Sequence, residues 1–128
     1  MARVRAALRR QANPYRVELL EPYVLGDLTI DYAERRVTVA GRPVELTTAE
    51  YKLLFELSVN AGWVLNYDQL LRRVWGLTNS GDVRMIRTLV RRLRRKLDDD
   101  ARSPTYIFVK RDVGYRMPKG QEPRQGTG

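Results

Sequence analysis

The segment VRMIRTLVRRLRRKLDDD, residues Val83 to Asp100, carries seven cationic side chains up to Leu97 and no acid until three aspartates close it. Successive helical residues are turned by about 100°, which places Val83, Ile86, Val90, Leu93 and Leu97 on one face at alternating spacings of three and four. Leu89 lies at the edge of that stripe. The opposite face holds Arg84, Thr88, Arg91, Arg92 and Arg95, with Arg87 and Arg94 along one boundary. Surface helices usually mix signs, because Glu and Lys four residues apart support one another. Here Arg87, Arg91 and Arg95 repel instead, each such pair opposing the helix by about 0.2–0.5 kcal/mol unless an anion relieves it.

Working outward, the 128 residues suit one compact domain, and 43% hydrophobic content is enough for a core. A formal charge of +9 makes a polyanion the leading partner class: nucleic acid or an anionic membrane surface. The excess sits in the first ten residues, in Arg84–Lys96 and in Lys110–Lys119. Cysteine and histidine are both absent, so disulfides, thiolate nucleophiles and cysteine-ligated zinc are excluded, and the commonest general base is missing. No catalytic residue, metal ligand or cofactor site is predicted, and the chain reads as a non-enzyme. No long apolar run anchors it in a membrane, and a cytoplasmic location is expected.

Ala2–Gln11 reads as a short basic helix with a stripe of Val4, Ala7 and Leu8, followed by a linker in which Pro14 and Pro22 forbid a continuous helix. From Tyr23 to Leu46 the period becomes two. Leu28 and Ile30, Val37 and Val39, and Val44 and Leu46 alternate with polar neighbours, and turn residues separate the runs, so a small antiparallel meander is predicted. Thr47 with Glu50, then Asn66 with Gln69, are two capping boxes. The first opens a helix burying Tyr51, Leu53, Leu54 and Leu57 and ending at Asn60-Ala61-Gly62; the second opens one burying Leu70, Leu71, Val74 and Trp75. Gly76–Asp82 is a loop. Thr105–Met117 reads as a hairpin turning at Arg111-Asp112, and the polar segment after Pro118 is expected to be disordered.

A helix fixed by one apolar face and cationic on the other fits the major groove of B-DNA, where the arginine fork reaches guanine O6 and N7 or a phosphate bidentately. Thr88 is placed for a thymine methyl or a phosphate. The competing readings are a solvated charged face, a membrane-surface helix, which would favour Trp or Phe at its margin, and a module that binds RNA or DNA without reading bases. Single-stranded RNA recognition needs exposed stacking aromatics, for which only Tyr32 is placed. A divalent-cation site at Asp27 and Asp31 or at Asp98–Asp100 lacks any completing group. The three aspartates are at the unfavourable end of the helix dipole; they either repel phosphate or simply end the helix.

LTTAEYKLLFEL, NAGWVLNYDQLLRRVWG, GDVRMIRTLVRRLRRKL and VKRDVGYRM, in this order, resemble the C-terminal winged helix-turn-helix effector domain of OmpR/PhoB-type response regulators over roughly Tyr23–Met117. The resemblance implies an α+β fold: an N-terminal antiparallel sheet, three helices and a C-terminal β-hairpin wing. It implies residues 1–12 as the remnant of a receiver domain's last helix, 13–22 as a linker, 23–117 as the DNA-binding domain and 118–128 as a disordered tail.

By position, Arg84, Arg87, Thr88, Arg91, Arg92, Arg94 and Arg95 fall on the family's recognition helix. Thr47, Thr48 and Trp75 fall where relatives touch the DNA backbone, Trp75 being equally readable as core. Lys110 and Arg111 fall on the wing, Arg111 where an arginine enters the minor groove. Gly76, Leu77, Thr78, Asn79, Ser80, Gly81 and Asp82 form the loop associated with RNA polymerase. Implied partners are double-stranded DNA with direct repeats, RNA polymerase, and the receiver domain and sensor kinase of a longer bacterial two-component protein. The domain would be a monomer alone and a tandem dimer on DNA. Arg87 and Leu89 replace a common acid and histidine, Asp112 replaces the usual wing-tip glycine, and Val109 replaces a frequent hydroxyl residue.

Overall fold

The computed structural model describes residues 17–76 and 82–121. The predicted helix over Ala2–Gln11, the loop residues 77–81 and residues 122–128 lie outside them. A 3-10 turn at Val17–Leu19 interrupts the predicted linker. The meander follows as β1 (Tyr23–Leu25), β2 (Leu28–Asp31), β3 (Arg36–Val39) and β4 (Arg42–Pro43), antiparallel and in that spatial order.

Pairing Leu28 with Val39 and Ile30 with Val37 puts all four side chains on one buried face, as the period-two pattern requires. The fourth strand differs from expectation. Arg42-Pro43 pairs with Val39 and Thr38, while Val44 and Leu46 follow it, half-buried against the core. Pro43 lacks an amide to donate, which suits a strand on a sheet edge.

Both capping boxes form. Thr47 opens α1 (Thr48–Val59), its hydroxyl accepting from Glu50 N at 3.2 Å while Glu50 Oε1 accepts from Thr47 N at 2.9 Å. Asn66 and Gln69 exchange the same pair of bonds, both 2.8 Å, to open α2 (Tyr67–Trp75), which Gly76 ends in the left-handed conformation. α3 (Val83–Leu97) begins at an Asp82 cap. It packs on α1 and α2 through Ile86, Leu89, Val90, Leu93 and Leu97. Leu89 belongs to the core rather than to its edge.

The wing is β6 (Phe108–Lys110) and β7 (Gly114–Arg116). Sequence periodicity did not reveal its third partner, the two-residue β5 (Leu65–Asn66), which pairs with β7 and ties the wing to the start of α2. The close approach requires Gly114. A Cβ there would stand 1.9 Å from the Leu65 carbonyl oxygen, a backbone atom that cannot rotate away. Gly114→Ala is therefore expected to lower the unfolding free energy by about 1–3 kcal/mol in urea titration. An unchanged midpoint would contradict the β5–β7 contact.

Lys119, Gly120 and Gln121, within the segment expected to be disordered, are among the described residues and return to the first strand. Tyr23 Oη donates to the Pro118 carbonyl at 2.5 Å, Gln121 N donates to Val24 O at 2.6 Å, and Gly26 N donates to Gln121 Oε1 at 2.9 Å. Strand β1 thus gains a partner on its outer edge.

Candidate nucleic-acid interface

With five apolar side chains of α3 fixed in the core, its other face is turned to solvent. Arg84, Arg87, Arg91, Arg92 and Arg95 are exposed and Thr88 is half-buried. Among the described residues, Arg87, Arg91, Arg92 and Arg95 form no ion pair with a carboxylate. Arg87 lies over the Tyr67 ring, 5.8 Å from its centroid, and Tyr67 in turn meets Tyr115 edge-on at 6.0 Å. Arg84 is different: Asp82 caps the helix through Oδ1 and holds the Arg84 guanidinium through Oδ2 at 2.8 and 3.1 Å. That contact keeps the Asp82 carboxyl below its ordinary pKa.

Arg94 departs from the expected exposed position. Only 14% of its side chain is accessible, and its Nη2 donates to the Ile107 carbonyl at 2.6 Å. Its Nε is 3.8 Å from Asp99 Oδ2. These contacts, as well as burial, hold the Arg94 guanidinium out of the exposed basic face. The aspartate run ends the helix as one of its two readings expected, but its members have different roles. Asp98 ends the helix in the left-handed conformation, φ 62°, but Asp99 is buried and accepts from Thr105 N, Tyr106 N and Ile107 N. Asp100 caps a turn at Arg102 N. A carboxylate followed by a loop of free amides was the available signal, since Asp side chains commonly satisfy nearby backbone donors.

The other predicted residues lie on the neighbouring helices and the wing. Trp75, the last residue of α2, is half-buried and shares an open groove with Arg84, Met85, Thr88, Leu89 and Arg92, so it is both core-packed and reachable from the basic face. Thr47 and Thr48 are exposed at the start of α1. Lys110, Arg111 and Asp112 are exposed at the wing tip, where Asp112 takes φ 63°, a left-handed conformation that aspartate tolerates better than most residues. Val109 and Val113 flank them, also exposed. Between α3 and the wing runs a cleft of about 500 Å³ bordered by Arg87, Arg91, Arg95 and Tyr115.

Of the loop Gly76–Asp82, Gly76 and Asp82 are helix caps, and Leu77, Thr78, Asn79, Ser80 and Gly81 lie outside the described residues. Tyr32 is not a stacking platform: it is buried, with its hydroxyl on Ser58 Oγ at 2.7 Å. Among the described residues no group of three or more acids could hold a metal ion, and no helix is long and apolar enough to cross a membrane.

Sequence reading also missed Lys96. Its Nζ donates to Glu50 Oε1 at 2.7 Å, tying the last turn of α3 to the capping box of α1. Burial of Glu50 opposes its ionisation, yet Lys96 and the Thr47 amide and hydroxyl outweigh this and hold its pKa below the ordinary glutamate value. A depressed folded-state pKa stabilises the fold above the unfolded pKa and is lost as pH falls through the folded value. Glu50→Gln should thus lower stability by about 1–2 kcal/mol at pH 7. Urea titrations at pH 7 and below the usual carboxylate range should show the gap between variant and parent narrowing; a constant gap would contradict the ion pair.

Residues 41–117 match the family described as "Transcriptional regulatory protein, C terminal". The chain is 42% identical over 120 residues to the transcriptional regulatory protein AfsQ1 of Streptomyces coelicolor, covering 94% of this chain and 52% of that protein. It is 37% identical to the DNA-binding response regulator MtrA of Mycolicibacterium smegmatis, over 91% of this chain and 49% of the relative. The chain spans about half the length of these relatives.

Among solved structures, the RstA DNA-binding domain of Klebsiella pneumoniae, crystallised with the RstA box, is similar with a TM-score of 0.70 and 36% identity, over 77% of this chain and 98% of that one. The Thermotoga maritima response regulator DrrB, an OmpR/PhoB homologue, gives 0.71 and 32%, over 91% of this chain and 50% of its own.

Proposed function

The chain belongs to the OmpR/PhoB type of transcriptional regulatory C-terminal domains, winged helix-turn-helix DNA-binding modules, and from that premise we propose that it reads a specific duplex sequence as the effector part of a two-component response regulator. The observation that carries this reading is the outward face of α3. Arg87, Arg91, Arg92 and Arg95 extend from a helix whose other side is locked in the core, and among the described residues none of them forms an ion pair with a carboxylate.

An α-helix fits the major groove, and an unpaired guanidinium there exchanges water and counterions for base edges and phosphates. Thr47, Thr48 and Trp75 are assigned to phosphates on one side of the helix. Lys110 and Arg111 are assigned to the next groove along, reached across the cleft beside α3. Arg84 joins the contact by exchanging Asp82 for DNA. A receiver domain and a sensor kinase as the upstream partners, RNA polymerase as a partner of the loop after α2, and paired copies on direct repeats rest on the family resemblance. So does a cytoplasmic location.

Selection of bound sequences from a random duplex pool, followed by titration of the enriched duplex and a scrambled one at equal salt, tests the reading. Specific recognition predicts a gap of about 10³-fold or more between the two. Equal affinities with a steep salt dependence would instead identify a non-specific nucleic-acid module.

A further inference from the structure

We propose that Asp99 and Arg94 form a positioning strut that sets the wing against the recognition helix α3, so that both engage one duplex together; this rests on the duplex-reading function above. The wing leaves α3 through Asp100–Ile107, which contains no helix or strand. Its first strand, β6, is the outer strand of the β5-β7-β6 sheet and, among the described residues, pairs only with β7. Pairing to β5 and the Tyr67 N–H bond to Val113 O hold the far side of the hairpin. Burial of Tyr106 and Ile107 in the core anchors the residues before β6, but neither that packing nor these contacts ties them by directed bonds to the end of α3.

Asp99 does. Its own amide donates to Arg94 O at 2.8 Å in the closing turn of α3, so its side chain starts from a defined point on that helix. The fully buried carboxylate then accepts three consecutive amides: Thr105 N at 2.7 Å and Tyr106 N at 3.1 Å on Oδ1, and Ile107 N at 3.0 Å on Oδ2. Arg94 Nη2 takes the Ile107 carbonyl at 2.6 Å. Both backbone groups of Ile107, the residue before β6, are thereby held by side chains of the α3 terminus.

Arg94 also offsets the buried charge of Asp99, with Nε 3.8 Å from Oδ2. A buried charged pair seldom adds more stability than apolar packing of similar volume. What the four hydrogen bonds to Thr105, Tyr106 and Ile107 add is direction: each restricts the angle as well as the distance at which the wing departs. The arginine at this position thus sets geometry and does not read bases.

The test is a double-mutant cycle on the selected duplex at fixed salt. Arg111→Ala and Arg91→Ala are each measured in the parent domain and in Arg94→Met and Asp99→Asn backgrounds, the latter being nearly isosteric should the former fold poorly. In the parent, Arg111→Ala should weaken binding about tenfold. In either strut-deficient background that penalty should shrink to less than about twofold, while the Arg91→Ala penalty persists undiminished. Arg94→Lys, which keeps a donor for the Ile107 carbonyl, should restore most of the wing's contribution. An undiminished Arg111→Ala penalty in both backgrounds would overturn the strut while leaving duplex reading intact, as would a parent domain indifferent to Arg111→Ala. Indifference of the parent to Arg91→Ala would overturn the duplex reading itself, and the strut with it.

Discussion

Arg91→Ala and Arg92→Ala are each expected to weaken binding to the selected duplex by about 1–3 kcal/mol, roughly 5- to 150-fold, and to relax preference at the base positions they meet. Both side chains stand on the exposed side of α3, one residue apart and so about 100° around the helix, which directs them at different base pairs or at a base and a phosphate. The helix loses little structurally without them: neither forms an ion pair among the described residues, and removing Arg91 relieves repulsion with Arg87 and Arg95. Loss of affinity with unchanged melting is therefore the signature of a groove contact. Lys110→Ala provides the contrast, weakening all duplexes alike and reducing the salt slope by about one. Equal losses on selected and scrambled DNA for Arg91→Ala would place Arg91 on phosphate alone.

The largest effect on stability is expected from Leu93→Ala. Leu93 is fully buried on the inward face of α3, between Val90 and Leu97 in the stripe that holds the helix to α1 and α2. Truncation removes three heavy atoms from a close-packed core and leaves a cavity, for a loss of about 2–5 kcal/mol. Against a total of about 5–15 kcal/mol for a typical domain, that is a large fraction. Urea titration should give a lower midpoint with an unchanged slope. A loss under about 1 kcal/mol would mean that α3 is not anchored as described, and the outward display of its arginines would lose its basis.

What could be read from the sequence was what is local in it. Thr47 with Glu50 and Asn66 with Gln69 exchange hydrogen bonds three residues apart, so both helix starts were visible. The stripe from Ile86 to Leu97 repeats with the helical period, and the buried pairs Leu28–Val39 and Ile30–Val37 with that of a strand. The misses come from contacts between residues distant in the chain. Lys96 and Glu50 are 46 positions apart, and Tyr23 and Pro118 are 95. Nothing local marks either bond. Leu65-Asn66 is too short to show a period, and only its pairing with Tyr115 and Gly114 makes it a strand.

The interface followed the same division. Helical angle alone places Arg91, Arg92 and Arg95 outside, and the structure has them exposed. It places Arg94 on a boundary, where neighbours decide, and the chain returning from the third helix covers it with Ile107 and Asp99. Asp99 itself resembled its two exposed neighbours until three amides from residues six to eight positions later were found on its carboxylate.

The central claim is that cationic side chains on a rigid helix read base edges in the major groove, and guanine N7 is the acceptor that most directly reports it. Each guanine of the selected duplex should be replaced in turn by 7-deazaguanine, which removes that acceptor and leaves the phosphate backbone and pairing in place. The account predicts about 5- to 150-fold weaker binding at one or more positions, and no such loss at the matching position in Arg91→Ala or Arg92→Ala. Unchanged affinity at every guanine, in a domain that still prefers the selected duplex, would contradict it.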